Sequence, residues 1–480
     1  MTLSRERLVP LIVAVALFME NMDSTVIATA LPAIAADIGT TALELKLAVT
    51  SYLLALAIFI PVSGWMADRF GARTIFRTAI AVFVLGSISC ALAQSLSHFV
   101  VARFFQGMGG AMMTPVGRLV LIRTVEKSKL VDAMALVTLP ALIGPLLGPP
   151  LGGFLTTYAS WHWIFIINVP IGIVGFILVT RYVENVQAEV PDPFDFIGMA
   201  LVGLGVGGLA FGMTMVGLAF IPTSLVIALT AVGAACTVGY VLYAKRTPAP
   251  VLDLSLFALP TFRAGVIGGF MFRIGAGALP FLLPLLLQIG FKMTPFQSGM
   301  TTFATAIGAM SMKTAIPRIL RRFGFRWTLT VNAVVSAVAL GACAAFAPGT
   351  PVWVMITVLL IGGFFRSLQF TSVNTIAYAE VDHRRLSRAT SLVSVAQQLS
   401  ISTGVALGAL VLETVLRLKG HTTLTAADFP PAFLVVAGIA GASAFIFATL
   451  PPDAGIELAG RATAQIEPPK PPDKPDQRAG

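Results

Sequence analysis

The chain has 480 residues, of which 56% are hydrophobic and only 11% charged, whereas soluble proteins average roughly 25% charged. That composition excludes a water-soluble globular protein and marks a polytopic membrane protein. The formal net charge of +10 does not point to nucleic acid, because the basic residues sort by membrane side instead of gathering in one patch.

A hydrocarbon layer about 30 Å thick takes about 20 apolar residues per helix, and the chain has room for fourteen such helices. A short basic start with Arg5 and Arg7 leads into span 1, about 8–30. Its length, its acids Glu20 and Asp23 and the many spans after it exclude a cleaved signal. Spans 2 to 6 follow at about 47–66, 75–93, 98–122, 133–156 and 161–181. The charged segment 184–195, with Pro191 and Pro193, breaks the helical pattern and is expected to be a linker. Spans 7 and 8 lie at about 196–220 and 223–243, and a second linker covers 245–262. Spans 9 to 14 fall at about 263–287, 296–316, 327–346, 352–377, 388–412 and 433–450.

The expected fold is all-α, with an N-terminal six-helix bundle over 1–183, an insertion with its linker over 184–262 and a C-terminal six-helix bundle over 263–450. The Pro-rich end, 451–480, has too few apolar residues for a core and is expected to be a disordered cytoplasmic tail. With the loops alternated from a cytoplasmic N-terminus, 25 of the 32 basic residues fall inside. Four fall outside (Lys46, Lys292, Arg417, Lys419), and three lie within the membrane. Both termini are therefore expected in the cytoplasm, with the protein in the inner membrane.

Cys90, Cys236 and Cys343 sit in apolar segments without CxxC spacing, and the four histidines are scattered. Neither a disulfide framework, a metal site nor a cofactor is expected. The absence of a phosphate-binding loop argues against ATP-driven transport, and no nucleophile sits beside a base as an enzyme would need.

The turn between spans 2 and 3 contains Gly64, Asp68, Arg69, Gly71 and Arg73. Arg322, Gly324 and Arg326 repeat Arg69, Gly71 and Arg73 at an offset of 253 residues, so the chain is built from two related halves. Two halves that rock around a shared site provide alternating access. Asp68 is placed to neutralise the positive end of a nearby helix, with span 13 the candidate.

An ionised side chain within the bilayer costs about 2.5 to 3.5 kcal/mol even on the permissive insertion scale. Five are expected there: Glu20 and Asp23 in span 1, Arg103 in span 4, Arg273 in span 9 and Arg366 in span 12. Glu20 and Asp23 share a helical face and suit a proton carrier, the alternative being structural ion pairs with arginines. Arg103 and Gln106 lie near one face of span 4. In span 5, Gly144, Pro145, Gly148, Pro149, Gly152 and Gly153 form a hinge candidate, since proline removes a backbone donor and glycine removes bulk. Glu20 and Arg273 are also 253 residues apart, and an ion pair between them is expected.

The turn, the segment from Arg103 to Ala111 and the run Gly144 to Gly153 resemble signatures of the major facilitator superfamily. With fourteen spans, the segment Asp23 to Pro32 and the segment Trp161 to Gly172, the chain is similar to its fourteen-span drug:proton antiporter family. Arg273–Gly275 and Leu287–Gly290 resemble a subgroup of multidrug resistance proteins within it. The resemblance implies export of lipophilic small molecules driven by protons, with coupling through Asp23 and Arg103. Glu20 stands where a neutral amide is the family's habit, and two acids face three arginines in the membrane. An organic anion or metabolite held by Arg273 and Arg366 therefore competes as substrate, and a non-transporting sensor or membrane enzyme is a weaker alternative. Substrate, protons and lipid are the expected partners, with an accessory efflux partner left open.

Overall fold

The computed structural model describes residues 5–125, 130–185, 187, 195–216, 221–247, 250–382, 385–421 and 423–458. The expected tail lies outside the described residues from 459 onward, as does most of the first linker. No strand occurs among the described residues, as lipid requires of a chain that satisfies its backbone donors within each segment.

The helices are α1 Arg5–Val26, α2 Leu31–Asp37, α3 Lys46–Phe70, α4 Ala72–Ala91, α5 Leu96–Thr124, α6 Leu130–Tyr158, α7 Trp163–Ile166 and α8 Asn168–Tyr182. They continue with α9 Phe196–Met215, α10 Thr223–Ala244, α11 Pro260–Leu285, α12 Pro295–Met312, α13 Ile316–Ala342, α14 Val352–Ile376, α15 Leu386–Lys419 and α16 Phe429–Ala448. Among the described residues, eleven are long and apolar enough to cross a membrane. Three further long helices, α5, α6 and α12, have 29, 29 and 18 residues.

Local sequence fixes several boundaries. Ser95 caps α5 by accepting the His98 amide, and Thr294 with Gln297 forms a capping box on α12, each satisfying amides that a helix start leaves open. Gly420 ends α15 in the left-handed conformation, φ 71°, a position where glycine avoids the Cβ penalty. Asp195 caps α9 through the Gly198 amide and also accepts from the Tyr243 hydroxyl and the Val251 amide.

The two charged turns share a form. Gly71 separates α3 from α4 at φ 92°, and Gly324, at φ 75° and ψ 172°, breaks the helical backbone within α13 between Arg322 and Arg326. Both glycines occupy the left-handed half of the backbone map at equivalent repeat positions.

Each half packs internally: α1 lies against α6 and α8, α4 against α5, α12 against α14, and α11 against α15 and α16. α9 and α10 pack on each other, and α9 touches both α3 and α15. One apolar core crosses between the halves, joining Ala48, Phe99 and Ile34 to Leu282, Leu412 and Phe433. It lies at the end of the molecule away from the Gly64–Arg73 turn. Near the turn end, Arg385 Nη2 bonds Asp253 Oδ2 at 3.1 Å. Partial burial works against the Asp253 charge, but Ser255 and the Arg385 guanidinium outweigh it and hold the carboxyl below the usual carboxylate range.

Candidate functional site

Three residues apart on α1, Glu20 and Asp23 share a face but meet different surroundings. Asp23 is fully buried. Its Oδ2 accepts from Arg103 Nη1 at 2.8 Å, while its Oδ1 accepts from Gln106 Nε2 at 2.9 Å and Asn168 Nδ2 at 2.8 Å. Arg103 Nη1 also donates to Gln106 Oε1 at 2.7 Å, and Ser87 Oγ accepts from Gln106 at 2.6 Å and from Asn168 at 3.1 Å. The Arg103 guanidinium carbon lies 4.3 Å from the Tyr52 ring centroid, a cation–π contact that supports the charge where water is excluded.

This knot joins α1, α4, α5 and α8 and carries no net charge as an ion pair. The spacing of Arg103 and Gln106 along one face of α5 brings both to Asp23, as the sequence suggested. Asn168 and Ser87 were not singled out there, being neutral residues in apolar spans. The available signal was the cost of burying an asparagine amide without a partner.

Glu20 is half-buried, and its Oε2 accepts from Thr114 Oγ1 at 2.6 Å. It lines a central cavity of about 590 Å³ between the halves. One wall carries Glu20, Tyr52, Arg103 and Pro145, and the other carries Phe281, Arg366, Phe370 and Gln397. A mostly apolar space with a few convergent polar groups is the usual form of a small-molecule site. Lys313, exposed where α12 ends near the turn, also lines it. Among the described residues, Arg366 makes no hydrogen bond or ion pair, and it lines both this cavity and a smaller one beside Cys343.

The expected ion pair between Glu20 and Arg273 does not form. Arg273 is 1% exposed, its Nη2 donates to Asn374 Oδ1 at 2.6 Å, and its guanidinium carbon stands 5.3 Å from the Phe370 ring centroid. It does not line the cavity. The shared offset marks equivalent positions in the two halves, and equivalent positions need not touch. Of the two arginines expected to hold an anion, only Arg366 faces the cavity.

The span-5 run lies within one continuous helix of 29 residues. A Cβ at Gly144, Gly148 or Gly152 would strike Met22 and Phe18, Thr25, or Val26 and Thr29 respectively, so three glycines at four-residue spacing seat α6 on α1 and the short helical turn after it. A Cβ on Gly153 would strike Pro295 and Phe296 at the start of α12, and one on Gly299 would strike the Pro149 carbonyl. Pro145 and Pro149 face the cavity. The run thus contacts both halves.

At this same end, away from the turn, Gln288 Nε2 donates to the Thr29 carbonyl at 2.9 Å, and the Phe296 amide donates to Thr157 Oγ1 at 3.0 Å. Lys46 Nζ meets Glu413 Oε1 at 2.7 Å, with the lysine side chain fully buried. Counted among the outside charges, Lys46 is the first residue of α3 and is paired across the seam. A hydropathy window that trims charged ends hides such a pair.

In the turn, Asp68 is half-buried in the last turn of α3, while Gly64 and Arg69 are exposed. A Cβ at Gly71 would strike Asn185, whose Oδ1 accepts from the Thr74 amide at 3.2 Å. Asn185 was not expected there. A Cβ at Gly64 would meet nothing, so that glycine answers no steric need.

Known proteins match both sequence and fold. Residues 13–262 and 265–474 match the Major Facilitator Superfamily. The "Putative multidrug resistance protein MdtD" of Escherichia coli O81 (strain ED1a) is 39% identical over 448 residues, covering 92% of this chain and 94% of that protein. Its namesake in Pectobacterium atrosepticum is 36% identical over 444 residues, covering 92% and 95%. Among solved structures, a D-xylose-proton symporter superposes with a TM-score of 0.67 at 13% identity, covering 93% of this chain and 98% of that one. A peptide transporter POT in complex with sulfate gives 0.69 at 13% identity, covering 93% and 95%. With its all-helical architecture and its many membrane-length helices, the chain is a multi-pass membrane transporter and not an enzyme, and it belongs to the Major Facilitator Superfamily.

Proposed function

We propose that this chain is a proton-coupled exporter of small amphipathic compounds, crossing the inner membrane fourteen times with both termini in the cytoplasm. Its halves, 1–183 and 263–450, rock about the central cavity, and α9 and α10 are an insertion between them. In this reading the turn end faces the cytoplasm, and the sealed end faces outward. The observation that carries the proposal is the unequal setting of two acids one helical turn apart. Asp23 is spent in a fixed ion pair with Arg103, whereas Glu20 faces the cavity with a hydroxyl partner that either protonation state tolerates.

Glu20 loses its proton to the cytoplasm as an amphipathic compound enters the open cavity. The halves then reverse, and a proton from outside returns to Glu20 as the compound leaves. Proton and compound thus weaken one another's binding at one wall, a coupling that is reciprocal by linkage. Asp23, Arg103 and Gln106 hold α1 against α5 and set where Glu20 stands. The name multidrug resistance protein carried by the MdtD relatives supports the substrate class, and the D-xylose-proton symporter, by its name, couples protons on the same fold.

A second reading, an organic anion as substrate, rests on Arg366 and its lack of a protein partner. Inside-out vesicles acidified within test both readings with ethidium and fluorescein as probes. Uptake of ethidium that an uncoupler abolishes is the expected result. Uptake indifferent to the gradient contradicts proton coupling, and uptake of fluorescein alone favours the second reading.

A further inference from the structure

The inserted helices carry a contact that the transport reading does not use. Lys46 Nζ touches two groups: Glu413 Oε1 on α15 at 2.7 Å and the carbonyl of Val216 at 3.2 Å. Val216 is the residue that ends α9, so the ammonium rests at the C-terminal, negative end of that helix dipole. The first residue of α3 is otherwise a poor place for a cation, because the N-terminal end of a helix is itself positive. Lys46 is 0% exposed, and a buried cation stripped of its partners is strongly destabilising.

The sealed end cannot open while α3 and α15 remain joined by this pair. Lys46 moves with the first half and Glu413 with the second, so opening must part them. Glu413 already has one oxygen, Oε2, buried without a hydrogen-bond partner, and it gains water when the seam opens. Lys46 is 0% exposed in the closed seam, Glu44 two residues before it is engaged with Thr40 and Thr41, and the ammonium keeps a protein acceptor through opening only if one travels with it. α9 packs along α3 as well as α15, and its terminal carbonyl already holds the ammonium.

We propose that α9 is the waiting partner of Lys46: it stays with α3 when the halves part, keeps the ammonium satisfied by the Val216 carbonyl and so lets the Lys46–Glu413 latch break and remake in each cycle. Glu413 is then the releasing half of the latch, and Lys46 is a positioning residue held in both states. This rests on rocking of the two halves but not on proton coupling or on any substrate. It assigns the insertion a task that two isolated six-helix halves would lack.

Spin labels on the full chain in lipid nanodiscs test it, on a background freed of Cys90, Cys236 and Cys343 that retains transport. Thr41 precedes α3, Leu225 lies near the start of α10 and Leu418 near the end of α15, and all three are exposed. The Thr41–Leu418 distance should show two populations, with Glu413→Gln raising the longer one by more than about tenfold, as loss of a buried partner warrants. The Thr41–Leu225 distance should stay single in both proteins. Charge exchange, Lys46→Glu with Glu413→Lys, should not restore the wild-type distribution, because a carboxylate would then face the Val216 carbonyl.

Three results would overturn the proposal: a Leu225 label that follows Leu418, an unchanged distribution in Glu413→Gln, or full rescue by the exchanged pair. Wild-type distances in which the seam never opens would instead overturn the rocking motion itself, and with it the transport reading. Glu413→Gln keeps the shape and half the hydrogen bonding of the native residue, and its folding is checked by elution as a single species.

Discussion

At the scale of single residues, the two acids of α1 separate by their partners. Asp23→Asn has one acceptor oxygen, enough for Gln106 and Asn168 but not for Arg103 as well, and it leaves Arg103 buried without its counter-charge, which costs about 3 to 5 kcal/mol. The variant is expected to lose transport and melt at lower temperature. Adding Arg103→Met should recover most of the melting temperature without recovering transport, as thermal unfolding in detergent measured beside vesicle uptake would reveal. Recovery of transport by the double variant would deny the pair any part in placing Glu20. For Arg273→Ala, the bond to Asn374 and the ring contact with Phe370 are lost within one half. Lower thermal stability with an unchanged pH dependence is expected, and a shifted pH profile for every substrate would reinstate a link to Glu20.

At the scale of elements, α6 decides how the halves meet. Gly148→Val would drive a branched side chain into Thr25 of α1, and overpacking of that kind costs roughly 1 to 3 kcal/mol. Slower transport with the substrate preference retained is the expected outcome, read from uptake rates of two unlike dyes. A changed preference with an unchanged rate would move the run from packing to recognition. The close packing of α6 was legible in sequence because glycine and proline at four-residue spacing state a face and a close approach by themselves. The Lys46–Glu413 pair between α3 and α15 was hidden: Lys46 is the first residue of its helix and Glu413 lies within two turns of the end of its own, where a charge ordinarily reaches water.

At the scale of the whole molecule, the sparse charge foretold membrane helices, and the repeated turn is what suggests two related halves. The repeat misled only where it was asked for a contact, since Glu20 and Arg273 occupy equivalent positions and belong to separate networks. The polar knot was half legible: charges in lipid demand explanation, so Asp23, Arg103 and Gln106 stood out, while Asn168 and Ser87 are neutral and did not. The cavity follows from how the halves lean together at the sealed end, which no local pattern encodes. That arrangement sets Glu20 on the cavity wall and Asp23 behind it, and on it rests the central claim, coupling by Glu20. The direct measurement is proton movement in liposomes containing the purified protein and a trapped pH-sensitive dye, with ethidium added on one side. Wild-type protein should move protons against ethidium, and Glu20→Gln should bind ethidium yet move none. Proton movement by Glu20→Gln at the wild-type rate would contradict the claim.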